Sequence, residues 1–338
     1  MKRVNKLKYI VARIKAMDFK NMIAQAKIVR SRTRRPVLFT LVDMIYCGFK
    51  YLAGYMDYVV FEFYKLNSKQ RATQVTRGIN NELVKTLNKK ESWYKFDKKD
   101  EFNRIFSDFL KRDWLDIENS DLTEFEAFCE KHPKMIVKPR DGACGKGVEK
   151  LAVADFQSAE KMREYCLKNE QTLAEEIIVQ NEKMNVMFPK SVNTVRMVTI
   201  TKNGKANIVF CSVRIGAGDT IVDNLNSGGM AALVDENTGV ITTDAADKNG
   251  IVYKTHPDTD TVIRGFEIPD FKEGREMVEK AALRVSDIGY VGWDIAFSDK
   301  GALLIEGNHF PGHDIYQMPA LTQDGIGVLP KFKKAMQG

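Results

Sequence analysis

The stretch Val291-Gly-Trp-Asp-Ile-Ala-Phe-Ser-Asp-Lys-Gly-Ala-Leu-Leu-Ile-Glu-Gly-Asn-His-Phe-Pro-Gly312 reads as two strands joined by a tight turn. Val291–Phe297 and Ala302–Glu306 are apolar runs flanking the turn tripeptide Asp299-Lys300-Gly301. Side chains alternate across a strand, so Glu306 and Asn308 share a face, and Asp294 on the preceding strand can meet them across the ladder. Oxygen donors from Asp, Glu and Asn on adjacent strands suit Mg²⁺, which prefers hard ligands and keeps phosphate and water in its shell. A buried acidic pair without a cation would be unfavourable. The competing reading is a solvent-facing strand with surface carboxylates. Trp293, Ile295, Leu303 and Ile305 require one buried face without saying which way the acids point.

Upstream, Lys134–Lys138 is a short buried strand stopped by Pro139 and followed by Asp141-Gly-Ala-Cys-Gly-Lys-Gly147. Glycines let backbone N–H groups turn toward an anion. The spacing is neither a Walker loop nor GxGxxG, and no helix opens after it, so a plain strand–loop–strand link competes with a phosphate cradle. Thr172–Val179 is a further strand, carrying Glu175 and leading to Glu182; its edge could offer backbone groups to a purine, and solvated charges are the alternative. Val195–Ile200 and Ala206–Ile215 flank Asn203-Gly204, a hairpin signal, and a second hairpin is expected for Ala231–Val234 and Val240–Thr243 around Asn237-Thr238-Gly239. Val148–Ala154 is expected to be a strand. Helices are expected over 156–168 and 271–287, and after the capping box Asp121-Leu-Thr-Glu124. Such a chain is α+β and rich in antiparallel hairpins, not a strict βαβ alternation.

The first ninety residues differ in texture. Residues 4–30 carry Val4, Leu7, Ile10, Val11, Ile14 and Met17 near helical period, Pro36 punctuates, and 68–89 reads as a helix capped by Ser68. Of 338 residues, 52 are Lys or Arg and 45 Asp or Glu; twelve of the bases but only one acid, Asp18, fall in residues 1–35. The remaining residues are slightly acidic, so the net charge of +7 belongs to a basic arm and gives no ground for a nucleic-acid partner. No apolar core or cleavage site of a signal peptide follows the first basic residues. The apolar stretch between Pro36 and Leu66 is interrupted by Asp43, Lys50, Asp57 and Glu62, which disfavours a membrane span. Packed helices are the expectation there, with peripheral contact to anionic lipid as the alternative. Five scattered cysteines without a CxxC pair argue against a disulfide framework or zinc site and for a reducing, cytoplasmic setting. Cys144 sits beside Lys146 in the glycine loop, where a reactive thiol is the minor reading and an ordinary loop residue the main one. His309 and His313 have helical spacing, but Gly307, Pro311 and Gly312 make that segment a loop and not a zinc motif.

Taken in order, the glycine loop, the strand with its carboxylates and the C-terminal Asp…Glu-x-Asn set resemble the ATP-grasp superfamily. KPRDGACGKGV, EEIIVQ, SVNTVRMVT, VDNLNSGG, THPDT and the closing ribbon look like its sugar-transfer-associated branch. The resemblance implies an ATP-grasp fold, with two α+β subdomains clasping ATP, over 93–330; the lid would span about 134–182, after a basic helical region over 1–92. It implies that Lys98 (in Asp97-Lys98) and Lys138 bind ATP phosphates and that Gly142, Gly145, Lys146 and Gly147 close over them. Glu175, Glu176, Ile177 and Ile178 would form the adenine hinge and Glu182 would bind ribose. Asp294, Glu306 and Asn308 would hold Mg²⁺. Arg196, on the strand after Ser191-Val-Asn193, would stabilise the transferred phosphoryl group, with Arg214, Asn193 and Asn224 as further catalytic candidates and His256 as a lining or turn residue. Trp293 stands where many relatives carry an arginine beside the metal aspartate, so Arg196 or Arg214 would replace that charge. The implied activity is ATP- and Mg²⁺-dependent ligation of a carboxylate to an amine through an acyl phosphate, in polysaccharide or sugar-conjugate synthesis. Its small-molecule substrates would be sugar-linked. The alternatives are a kinase acting on a small hydroxyl compound and a nucleotide-binding partner protein without turnover.

Overall fold

The computed structural model describes residues 18–142, 146–220, 223, 225 and 228–337. The chain divides into two compact units, Met1–Thr86 with Gly312–Gln337, and Leu87–Pro311. The expected helix over residues 4–30 is described from Phe19 to Thr33, its earlier part lying outside the described residues.

In the first unit, Asp18 caps the helix Phe19–Thr33, and Pro36 precedes the helix Val37–Tyr51. Met22, Ala26 and Val29 on one face meet Met44, Cys47 and Tyr51 on the other, with Tyr58, Phe61 and Phe63 closing the core. The single helix expected over 68–89 is two helices, Ser68–Arg71 and Arg77–Leu87, and the cap is Asn67, not Ser68. The break has a tertiary cause. The backbone N–H and C=O of Val75 both pair with the Gln317 side-chain amide (2.9 and 2.7 Å), and Thr76 Oγ1 donates to the Tyr51 carbonyl. Those bonds draw the C-terminal segment into this unit, where Tyr316 packs on Phe332.

The second unit holds two antiparallel sheets. The smaller comprises β1 (Trp114–Asp116), β2 (Lys134–Lys138), β3 (Glu149–Ala152) and β4 (Leu173–Glu176) in the order β1-β4-β2-β3. Helices Leu122–Lys131, opened by the Asp121/Glu124 capping box, and Ala159–Lys168 cover it through Phe125, Phe128, Met162 and Cys166. The larger sheet contains β5 (Val195–Lys202), β6 (Lys205–Ile215), β7 (Met230–Leu233), β8 (Ala245–Asp247), β9 (Val252–Tyr253), β10 (Tyr290–Ser298) and β11 (Gly301–Asn308). Its order is β11-β10-β5-β6-β7-β8-β9. Asn203 and Gly204, both at positive φ, close the β5–β6 hairpin as expected. The second expected hairpin forms around Asn237-Thr238-Gly239: Val234 bridges Ile241, the N–H groups of Asp235 and Thr242 donate to the carbonyls of Val240 (2.9 Å) and Leu233 (2.8 Å), and the pairing continues as β7 with β8. Asp235 accepts from the N–H groups of Asn237 and Thr238, tightening the turn, and Val240 also bridges to Glu267 on its other side. The helix Phe271–Arg284 packs on the same face as Phe96, Phe106, Met197, Trp293 and Phe297.

Candidate active site

Alternation sorts the central strands of the large sheet. Val291, Trp293, Ile295 and Phe297 of β10, Val195 and Met197 of β5, and Cys211, Val213 and Ile215 of β6 enter the core. The intervening residues, Asp294, Arg196 and Arg214, therefore share the opposite face. Register aligns them: Asp294 is opposite Arg196 on β5 and opposite Glu306 on β11, and Gly292 is opposite Asn308. Ala302 and Leu304 of β11 are core residues, so strict alternation would send Glu306 into the core as well. A β-bulge intervenes: Ile295 pairs with Leu304 while Asp294 pairs with Glu306, leaving Ile305 as the extra residue. The bulge re-aims Glu306 and Asn308 to the face of Asp294.

Asp294 is fully buried, and its carboxylate is held by Arg196 through Nε and Nη2 (the latter at 2.9 Å) and by Arg214 Nη2 at 2.9 Å. Burial opposes its ionisation, but the two guanidinium charges outweigh that and hold its carboxyl well below the usual range. Glu306 is the opposite case: burial, then the neighbouring Asp294 charge, push its carboxyl up, and the two acids hydrogen-bond. Glu306 is densely surrounded yet open to solvent, as a group at the floor of a cleft is. Asn308 Nδ2 lies 3.4 Å from Glu306 Oε1. Arg214 is fixed further by Thr194 Oγ1 (2.7 Å) and Asp223.

From the small sheet, Lys138 at the end of β2 pairs with buried Glu175 at 2.7 Å. Arg112, itself almost fully buried, bonds the same carboxylate and donates to the carbonyls of Leu304 (2.6 Å) and Ile305 (3.3 Å), beside Glu306. Asn103 donates to Glu175 at 3.1 Å. The carboxyl of Glu175, opposed by burial but flanked by Arg112 and Lys138, is held well below its ordinary value. Its side chain is thus a strut for Lys138, and a hinge role at this strand would fall to backbone groups, as the sequence suggested. Lys98 is exposed where two short helices meet; its neighbour Lys99 turns inward, donating to the Gly142 carbonyl at 2.8 Å. Burial and then the charge of Lys138 lower the Lys99 ammonium, with Glu306, Asp141 and Glu175 acting in the other direction. Lys99, Lys138 and Glu306 therefore share one electrostatic neighbourhood. The lysine named from the sequence, Lys98, is thus exposed, while Lys99 is the member of the pair that reaches Gly142, and the sequence carried no signal for Arg112.

The remaining candidates fall as follows. Gly142 and Gly147 are at positive φ, and a Cβ on Gly147 would lie 2.7 Å from Pro139. Lys146 is exposed; Gly145, Cys144 and Asn224 lie outside the described residues. Glu176 pairs with Lys300 and accepts from the Asp113 N–H, so its side chain faces away from a purine role; Ile177 and Ile178 follow β4 as a half-buried link. Glu182 is exposed in the first turn of the helix Glu182–Met187. Asn193 is a correction. It is fully buried, donating to Gln180, Met184 and Phe188 and accepting from the Gly216 N–H, which leaves it a structural tie and not a catalytic group. His256 is equally committed, between the Gly216 carbonyl and the Asp258 N–H. His309 stacks on Trp93 and bonds Asp97 within the second unit, whereas His313 bonds Asp57 within the first, so the two do not form a metal pair. Cys47, Cys129 and Cys166 are buried, and burial pushes their thiols up to about 12, 11 and 12.

The donor set fits a hard divalent cation: the Glu306 carboxyl, raised by burial and then by the Asp294 charge, lies beside an amide and a second carboxylate. Residues 78–331 match the family described as "Sugar-transfer associated ATP-grasp". Among solved structures, the ATP-grasp ligase PsnB with its minimal precursor is similar at 14% identity and TM-score 0.41, covering 74% of this chain and 62% of that one. D-alanyl-alanine synthetase A from Vibrio cholerae is similar at 16% identity and TM-score 0.42, covering 73% and 65%. The D-alanine-D-alanine ligase from Coxiella burnetii follows at 10% identity and TM-score 0.41, covering 78% and 68%. The chain spans less than two thirds of the first two structures. No curated protein matches it in sequence.

Proposed function

Because the chain belongs to the sugar-transfer-associated ATP-grasp family, we propose that this site makes it an ATP- and Mg²⁺-dependent ligase that joins a carboxylate to an amine, with a sugar conjugate or surface polysaccharide as the substrate class. The observation that carries the reading is the shared neighbourhood of Lys99 and Lys138 with Glu306, across the register from the Asp294–Arg196–Arg214 cluster.

Passing a γ-phosphoryl group to a carboxylate brings anions together, so fixed positive charge and alignment do most of the work. Lys138, braced by Glu175 and Arg112, and Lys99 would bind the phosphates. Gly142 and Gly147 free the loop backbone to approach them. Arg196 and Arg214, oriented by Asp294, would face the transferred group and stabilise its charge. Asp294, Glu306 and Asn308 would hold Mg²⁺, which when bound neutralises charge on the phosphate oxygens. The carboxylate oxygen takes the phosphoryl group as ADP leaves; an amine then attacks the acyl carbon, phosphate departs, and an amide forms. No protein nucleophile is required, which agrees with Cys47, Cys129 and Cys166 being held as unreactive thiols.

Glu306→Gln tests the reading. We expect ADP release, measured with pools of carboxylates, amino acids and amino sugars, to fall by about 10²–10³ while circular dichroism stays unchanged. Undiminished release would remove the assignment, and a phosphorylated hydroxyl product identified by mass would replace ligation with a kinase reaction.

A further inference from the structure

The helix Val37–Tyr51 uses one face, Thr40, Met44, Cys47 and Tyr51, for the core of the first unit. Its other face is also apolar. Leu38, Phe39, Val42, Ile45, Tyr46 and Phe49 are exposed, Leu38 and Phe39 at 71% and 66%. Their spacing of i, i+1, i+4, i+7, i+8 and i+11 forms one stripe about 16 Å long. A water-facing helix ordinarily shows polar residues there, so the stripe calls for an occupant.

Charge identifies it. Lys20, Lys27, Arg30, Arg32, Arg34 and Lys50 are exposed in the same region. Of the acids among residues 18–66, Asp43 is taken by Arg71, Arg35 and Tyr58 and Asp57 is buried. Glu62 pairs with Lys65, and Asp18 caps a helix. An apolar helix face flanked in the chain by exposed bases that no acid of residues 18–66 pairs matches an anionic phospholipid surface. Two copies of the chain joined stripe to stripe would instead crowd like charges. No helix among the described residues is long and apolar enough to cross a membrane. We propose that this helix lies in the plane of an anionic bilayer, its stripe in the acyl boundary and its bases at the headgroups. Lys50 Nζ, 2.6 Å from the Tyr46 hydroxyl, sits where a lysine would reach back to the headgroups.

The test is co-sedimentation of the full chain with vesicles of phosphatidylcholine alone and of phosphatidylcholine with phosphatidylserine. Binding should be at least about tenfold tighter to the second and weaken in salt. Phe39→Glu with Val42→Glu should abolish it with circular dichroism unchanged; Leu38→Ser with Phe39→Ser, a milder pair, should reduce it. The proposal is overturned by absence of binding, by binding that neither pair alters, or by a concentration-dependent dimer that the glutamate pair dissociates. Vesicle binding is read without turnover, so it is independent of the ligase assignment.

Discussion

Asp294 in the large sheet and Asp43 in the helical unit are each carboxylates gripped by two arginines. Asp294 has Arg196 and Arg214; Asp43 has Arg71 in a bidentate pair at 2.8 and 2.9 Å, with Arg35 at 3.2 Å. In both, burial is outweighed and the carboxyl titrates below its ordinary value. What separates them is the next neighbour. Around Asp43 it is the Tyr58 hydroxyl, donating at 2.7 Å, which completes a closed network. Around Asp294 it is a second carboxylate, Glu306, open to solvent and pushed up by its crowded surroundings and then by the Asp294 charge. A displaced carboxyl alone therefore does not mark a functional site; an acid left unbalanced at an open cleft does.

The sharpest way to break the comparison is a pair of isosteric changes. Asp294→Asn leaves two buried guanidinium groups facing a neutral amide, so we expect a loss of about 3–5 kcal/mol in chemical denaturation and ADP release reduced to background. Asp43→Asn should cost about 2 kcal/mol and leave turnover per folded molecule unchanged. Equal effects on turnover would erase the distinction. Asn193→Ala should lower stability by about 2–3 kcal/mol by stranding buried partners, with KM and kcat little changed at a temperature where the variant is folded; a selective collapse of kcat would return Asn193 to the catalytic set.

The smallest effect concerns pH. Burial and Lys138 lower the Lys99 ammonium, so in the free protein its charge is lost earlier than for an ordinary lysine as pH rises. Nucleotide phosphate favours the charged form, so ATP affinity measured by calorimetry should fall through that lowered value on the alkaline side, with proton uptake on binding. Lys99→Arg should move the fall to higher pH; Lys98→Arg should not. The reverse pattern would restore Lys98 to the site.

Much of the site was legible in sequence because strand chemistry is local. The ribbon and its turn follow from two apolar runs around Asp299-Lys300-Gly301. Lys138 was legible as the end of a strand stopped by Pro139. Lys99 was not, since adjacent lysines at the junction of two helices differ only in which way the helix turns them. Asn193 misled for a related reason: a polar residue near a catalytic strand looks the same in sequence whether it faces a substrate or, as here, closes the Gln180–Gly216 network.

The sequence by itself determined the α+β class, the basic N-terminal arm and the oxygen-rich ribbon, because turn chemistry, charge and two-residue alternation act over a few neighbouring residues. Tertiary structure alone decided three things: that the bulge at Ile305 turns Glu306 toward Asp294, that Arg112 ties Glu175 to β11, and that Val75 breaks a helix to bond Gln317. Each depends on a partner distant in the chain, and a buried polar group settles on whichever partner packing brings within hydrogen-bond reach.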